Sequence, residues 1–504
     1  MLEAALKSLS IILDPSHFLM LFAGVLVGLS IGILPGLGGI VGMSILLPII
    51  YGMEPHSAFA LLIGMVAVIP TSDTFPSVMM GIPGSSASQA TIMDGYPLAK
   101  KGEAARALGA AFTASLIGGL FGAAVLTLII PIARPIVLAF GSPELFMLAL
   151  LGLSMVGVLS GNKPIKGVLA AGIGLMIGAL GDAPALPEYR YTLGIGYLMD
   201  GVPLVIVGLG LFAFPEIFDL LIKGKAISEV ATLGKGWLDG VKDAIHHKLI
   251  ILRCSVIGVI VGFLPGLGGS VVDWIAYGHI IQTTKDREGF GKGDIRGVLA
   301  PESANNAKEG GGLIPTLLFG VPGSGSMAVF LGGLLILGIQ PGPAMVTEDV
   351  DLLYTAIWSL ALANVFGAGL CIFLSKPITR LTIIPFTYLA PFMILIITLA
   401  SYQASRGWGD LISLLVMGIL GWIMKQYGWP RPAALIGYVL SDNIETYLFI
   451  SVQRYGFSWM ARKGVIILGL IIIASLALGI FYQTKKTPKT RSTSKDNAIQ
   501  APQL

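Results

Sequence analysis

Ser85, Ser86 and Ser88 follow a Pro-Gly pair, Pro83-Gly84, and Ser324 and Ser326 follow another, Pro322-Gly323, with Gly325 between them. A helix that starts after Pro-Gly-Ser presents free amides with positive dipole character, and the hydroxyls add neutral donors. Together these can hold a carboxylate without a buried Arg or Lys, and neither break contains one. The alternative is a serine-capped re-entrant turn with no ligand. A second polar cluster lies ahead of each serine break: Thr71, Ser72, Asp73 and Thr74 before the first, Ser303, Asn305 and Asn306 before the second. Carboxylate, amide and hydroxyl oxygens are the ligands a hard cation such as sodium takes. Asp73, Thr74, Ser303, Asn305 and Asn306 are therefore the expected ion-coupling residues. Asp73 can equally carry a proton, since an intramembrane carboxylate is functional by default. Glu302, Lys308 and Glu309 can form a solvated helix end, the reading that suits Lys308 best. No cofactor and no resident metal are expected, and the coupling ion is sodium or the proton.

Backbone comes next. Gly32-Ile33-Leu34-Pro35-Gly36-Leu37-Gly38-Gly39 returns 230 residues later as Gly262-Phe263-Leu264-Pro265-Gly266-Leu267-Gly268-Gly269, and the serine breaks repeat at a spacing of 239. Two different echoes in the same order mark a duplicated unit. Pro35 and Pro265 each remove a helix donor, and Gly36, Gly38, Gly39, Gly266, Gly268 and Gly269 admit conformations other residues resist. Freed backbone groups at membrane depth are tolerated only where buried or lining a wet cavity. Breaks in matching positions of two repeats are the pattern of a transporter binding site, against the alternative of a kink or a surface loop.

The elements that must position these groups are membrane helices. The chain has 504 residues, 55% hydrophobic and 12% charged, with mean hydropathy +0.84. Soluble domains carry about 25% charged residues. Apolar runs long enough to cross a bilayer recur from end to end, and no alternating barrel strands are evident. The expected fold is an all-α polytopic membrane protein of two inverted repeats with broken, re-entrant helices. Its expected parts are an interfacial N-terminal helix at 1–16, repeat one at 17–222, a cytoplasmic connector at 223–248, repeat two at 249–463, a C-terminal transmembrane helix at 464–483, and a disordered basic tail at 484–504. Cys254 and Cys371 lie in apolar segments and read as buried thiols.

Charge sets the expected orientation. With the connector cytoplasmic, most of the Lys and Arg residues fall on that side, as the positive-inside rule requires, with Arg454 to Lys463 the exception. The loop after the first serine break carries Lys100 and Lys101. Its counterpart carries Glu348, Asp349 and Asp351 and no Lys or Arg, which places matching loops on opposite faces. The chain contains no HExxH or GxxxxGK[ST], and its five histidines form no triad or metal set, so an enzyme is not expected. No basic stripe interleaved with aromatics points to nucleic acid.

Several stretches carry a resemblance that covers roughly residues 18 to 460. They are the duplicated Leu-Pro-Gly-Leu-Gly-Gly, Ile82-Pro83-Gly84-Ser85, Asp94-Gly95-Tyr96-Pro97-Leu98-Ala99, the run from Gly208 to Glu216, and Ala300-Pro301-Glu302-Ser303-Ala304-Asn305-Asn306-Ala307. In these the chain resembles the large membrane subunit of the tripartite tricarboxylate transporters, the TctA-type permeases. The resemblance implies ion-gradient-driven uptake of organic carboxylates across a bacterial inner membrane, with a small membrane subunit and a periplasmic substrate-binding protein as partners. The competing reading is a membrane scaffold or channel subunit that does not itself transport. Tricarboxylates, dicarboxylates and aromatic acids all remain open as substrates.

Overall fold

The computed structural model describes residues 2–34, 36–159, 164–223, 233–265, 268–381 and 386–486. Pro35, Gly266, residues 224–232 of the connector and residues 487–504 of the expected tail lie outside the described residues.

The first half contains helices α1 (Leu2–Ile12), α2 (Pro15–Ile33), α3 (Gly38–Ile50), α4 (Pro55–Ser72), α5 (Thr74–Met80), α6 (Ile92–Lys100), α7 (Ala104–Ala139), α8 (Ser142–Leu159) and α9 (Pro164–Gly178). A two-residue hairpin, β1 (Gly181–Asp182) and β2 (Tyr189–Arg190), precedes α10 (Leu204–Gly208), a π-helical turn and α11 (Phe214–Lys223). The connector is not a plain loop, because α12 (Trp237–His246) packs on α7, with Gly240 against the Arg106 carbonyl. The second half holds α13 (Lys248–Phe263), α14 (Gly269–Thr283), α15 (Arg296–Phe319), α16 (Gly325–Ile336), α17 (Pro343–Thr347), α18 (Val350–Phe373), α19 (Ser375–Leu381), α20 (Phe386–Ser405), α21 (Trp408–Gln426), α22 (Arg431–Tyr455) and α23 (Lys463–Lys486). By length and composition, five helices among the described residues can cross a bilayer, and up to seven spans arise if two bent pairs each count as one.

Local sequence explains where the helices begin. Asp14 accepts a hydrogen bond from the Ser16 amide at 3.0 Å ahead of Pro15, and Glu54 accepts from the Ser57 amide at 2.9 Å ahead of Pro55. A capping carboxylate followed by proline in the first turn fixes both starts.

The duplication is visible in the backbone. Leu34 closes α2 at φ −85°, ψ 112°, and Leu264 closes α13 at φ −86°, ψ 112°. Gly81 (φ 67°) and Gly320 (φ 65°) end α5 and α15 in the left-handed region, their amides bonded to the carbonyls of Pro76 and Pro315. Gly28 lies against the Met65 carbonyl, and Gly258, its counterpart, lies against that of Ala304. A Cβ at either glycine would come within 2.3 Å and 2.2 Å of those oxygens, so only glycine permits these two helix pairs to approach so closely. The halves also exchange partners: α7 of the first half packs on α15 of the second, and α18 of the second packs on α4 of the first.

Helix α15 meets α4 through Asn306 with Thr71 (2.8 Å) and α5 through Glu302 with Thr74 (2.8 Å). The sequence pairs run in opposite directions, so α15 lies antiparallel to the α4–α5 stretch it corresponds to.

Candidate functional site

The two duplicated breaks from each half surround one cavity of about 440 Å³. Gly36, Gly38 and Gly39 line it from the first Pro-Gly tip, Gly268 and Gly269 from the second. Pro83, Ser85 and Ser86 line it from the first serine break, and Ser324, Gly325 and Ser326 from the second. Contacts across it are reciprocal. Gly38 sits by Ser85, and Gly268 by Ser324, with built Cβ distances of 3.8 and 3.9 Å. Gly39 meets Ser326 of the other half, and Gly269 meets Ala87, the residue that corresponds to Ser326.

The remaining sequence candidates stand just behind this lining. Gly84 does not line the cavity, but its carbonyl accepts from the Gly36 amide at 2.9 Å and so ties the two breaks of the first half together. Gly323 packs against the Gly262 carbonyl, leaving no room for a side chain. Pro322 and Pro265 are buried off the cavity, and the Ser88 hydroxyl turns back to the Ser85 backbone.

The two serine breaks differ. Ser324 caps α16 and accepts from the Met327 amide at 3.3 Å, so a helix does start there. No helix starts after Ser85; residues 85–91 form turns, and α6 begins only at Ile92. Asp273 of the second half takes the Ala90 amide at 2.9 Å and holds this segment as a turn. The Ser85 hydroxyl donates to Asp73 Oδ2 and accepts from the Ala87 amide.

Of the five ion-coupling candidates, Asp73 and Asn305 line the cavity. Both are buried, and Asp73 Oδ1, Asn305 Oδ1 and Asn305 Nδ2 have no hydrogen-bond partner among the described residues. Buried polar groups are nearly always paired, so these atoms are the exceptions that need an explanation. The other three make packing contacts, although Asn306 Oδ1 also has no hydrogen-bond partner among the described residues. Thr74 donates to Glu302, the Ser303 hydroxyl to the Ala300 carbonyl, and the Asn306 amide nitrogen to Thr71 and Asn364. Glu302, fully buried, also accepts from Thr91 (2.6 Å) and Ser115 (3.0 Å), which stitches α5, α7 and α15 together.

The structure corrects the reading of Lys308. It is buried rather than solvated, lines the cavity, and pairs with Glu309 at 2.5 Å. Asn305, Lys308 and Glu309 share one helix face at i, i+3 and i+4, a spacing visible in the sequence. Arg431 also lines the cavity, bonded to Glu216 Oε1 and the Leu211 carbonyl, each at 3.0 Å. Glu216 Oε2 takes Lys425 at 2.8 Å, and Lys425 also pairs with Asp219 at 2.6 Å. The expected all-neutral anion site thus has two cations at its wall, each facing a carboxylate of its own.

A family model for the tripartite tricarboxylate transporter TctA family matches residues 18–436. The chain belongs to that family. The TctA family is one of transporters, so this is a multi-pass membrane protein of a tricarboxylate transport system. An Agrobacterium vitis protein described as an uncharacterized 52.8 kDa protein in the TAR-I ttuC′ 3′ region is 31% identical over 448 residues, 86% of this chain and 87% of its own. A second Agrobacterium vitis protein, from the TAR-II ttuC′ 3′ region, is 31% identical over 195 residues, 38% of this chain and 79% of its own. No solved structure matches this TctA-family chain.

Proposed function

We propose that this chain is the permease subunit of an ion-gradient-driven importer of organic carboxylates in a bacterial inner membrane. In this reading a periplasmic binding protein delivers the substrate and a small membrane subunit completes the complex. The observation that carries it is the convergence of all four duplicated breaks on one cavity, where buried oxygens of Asp73 and Asn305 lack partners among the described residues. Glycine turns and serine hydroxyls there supply donors for a carboxylate, and Asp73 and Asn305 supply oxygens for a cation. A bound cation offsets the charge of an incoming carboxylate, so each ligand should tighten the other. The two halves act as inverted repeats, a reading supported by the antiparallel contact of the α4–α5 stretch with α15 and the reciprocal contacts across the cavity.

The test is uptake of labelled carboxylate by vesicles carrying this chain and its partners, with an imposed sodium gradient at fixed pH and membrane potential. Saturable uptake that collapses with the gradient is expected. Uptake indifferent to sodium would remove sodium from the scheme, and no saturable uptake would favour a scaffold or channel.

A further inference from the structure

The cavity-facing positions of α4 and α15 correspond at the same spacing of 239, but their chemistry has diverged. Val66, Ile69 and Pro70 in the first half stand where Asn305, Lys308 and Glu309 stand in the second, and all six line the cavity. The scaffold therefore accepts apolar side chains at these positions, and packing alone does not call for a buried ion pair.

That pair is also poorly favoured by its own helix. Successive residues point about 100° apart around an α-helix and do not face each other. Lys308 and Glu309 nevertheless pair at the cavity wall. Among the described residues Lys308 Nζ has Glu309 as its one recorded partner, whereas Arg431 is fixed by both Glu216 and a backbone carbonyl. The other lining carboxylates are likewise held, Asp73 by Ser85 and Glu216 by Arg431 and Lys425.

The surroundings of Lys308 suit a carboxylate. A Cβ built on Gly269 would lie 3.5 Å from Nζ, which puts the first turn of α14, with its unsatisfied amides, beside the ammonium. Asn305 brings an unpartnered, buried amide one turn earlier on the same face.

We propose that Lys308 is the charged anchor for a substrate carboxylate and that Glu309 is the internal carboxylate the substrate displaces. This rests on the transport reading above and adds a specificity-determining pair to it. Displacement explains how a buried ammonium stays paired throughout: an unpaired buried charge is costly, and the exchange trades one carboxylate for another better placed against α14.

The test uses purified full-length protein in detergent, with thermal melts and calorimetry against citrate, succinate and benzoate. Lys308→Gln should weaken whichever of these binds by at least about tenfold, the scale of a charge-assisted hydrogen bond. Glu309→Gln should tighten it and should gain stabilisation by millimolar acetate, which the Lys308→Gln/Glu309→Gln double variant should lack. A merely structural ion pair would make both single variants weaker alike, and that result overturns the proposal. So does the absence of any acetate effect on a folded Glu309→Gln protein. If wild type binds none of the three acids while acetate still stabilises Glu309→Gln, the transport reading falls and the anion site at Lys308 stands.

Discussion

Among the described residues, Asp73 has one carboxylate oxygen held by the Ser85 hydroxyl and one with no partner, at the wall of a cavity that also presents the unpartnered amide of Asn305. This separates the two coupling ions experimentally. Asp73→Asn keeps an oxygen ligand and removes the titratable group. Sodium-driven uptake should survive in weakened form, while proton-driven uptake should fail, and uptake assays under each gradient alone distinguish them. Ser85→Ala should cost about 0.5–2 kcal/mol in apparent substrate affinity, the range of a cap or neutral hydrogen bond, measured as a shift in half-saturation. Ser85 and Ser324 were legible in the sequence because a Pro-Gly-Ser break is a local signal. Lys308 was not, because Ala304 to Gly310 has the composition of a solvated helix end and depth leaves no mark in composition. Its clue was relational: it follows Asn305 by three positions and so shares that residue's face.

At the scale of elements, glycine pairs set the spacing of the two broken-helix units. Gly28→Ala and Gly258→Ala would each drive a methyl into a backbone carbonyl of the neighbouring helix, which cannot move aside. Each should destabilise by about 1–3 kcal/mol, the cost of overpacking, with similar losses in the two halves, read from thermal melts in detergent. Gly172 in α9 is the counterexample, with nothing within 4 Å of a built Cβ. Gly172→Ala should be neutral or gain up to about 1 kcal/mol by helix propensity. Helix positions followed readily from the apolar runs, and the polar, proline-bracketed stretch from Pro70 to Pro76 is mostly helix. The α4 helix continues through Pro70 to Ser72, and α5 resumes at Thr74. The hydroxyls of this stretch tie it to backbone: Ser72 donates to the Gly28 and Ile69 carbonyls, and Ser77 to that of Asp73. Proline is tolerated in a membrane helix that is buried among neighbouring helices, which the local sequence does not announce.

Across the whole molecule, charge and contact point to the same arrangement of faces. Lys101 reaches the Lys292 carbonyl at 2.6 Å and Arg106 pairs with Asp243, so the 101 loop, the connector and the loop before α15 adjoin. Asp351 pairs with Lys7 and approaches His56 within 3.8 Å, and His17 approaches Glu54, so the 348–351 loop adjoins the starts of α2 and α4. Because α4 and α15 run antiparallel through the Thr71–Asn306 contact, their starts lie at opposite ends, roughly 40 Å apart at 1.5 Å rise per residue. The duplication and the charge asymmetry are legible in the sequence. The exchange of partners between halves was not, since the packing of α7 on α15 and of α18 on α4 leaves no periodic trace in either segment. Both lines support the expected topology, which labelling tests. Lys101→Cys should react with an impermeant maleimide only from the cytoplasmic side and Glu348→Cys only from the periplasmic side. Both sites fall in exposed loop positions, and the native Cys254 and Cys371 are fully buried, so background labelling should be low. Labelling of both from one face would reject the inverted arrangement. It would also remove the reason for expecting the two serine breaks to enter the membrane from opposite sides, and with it the alternating access that a cavity shared between the halves would allow.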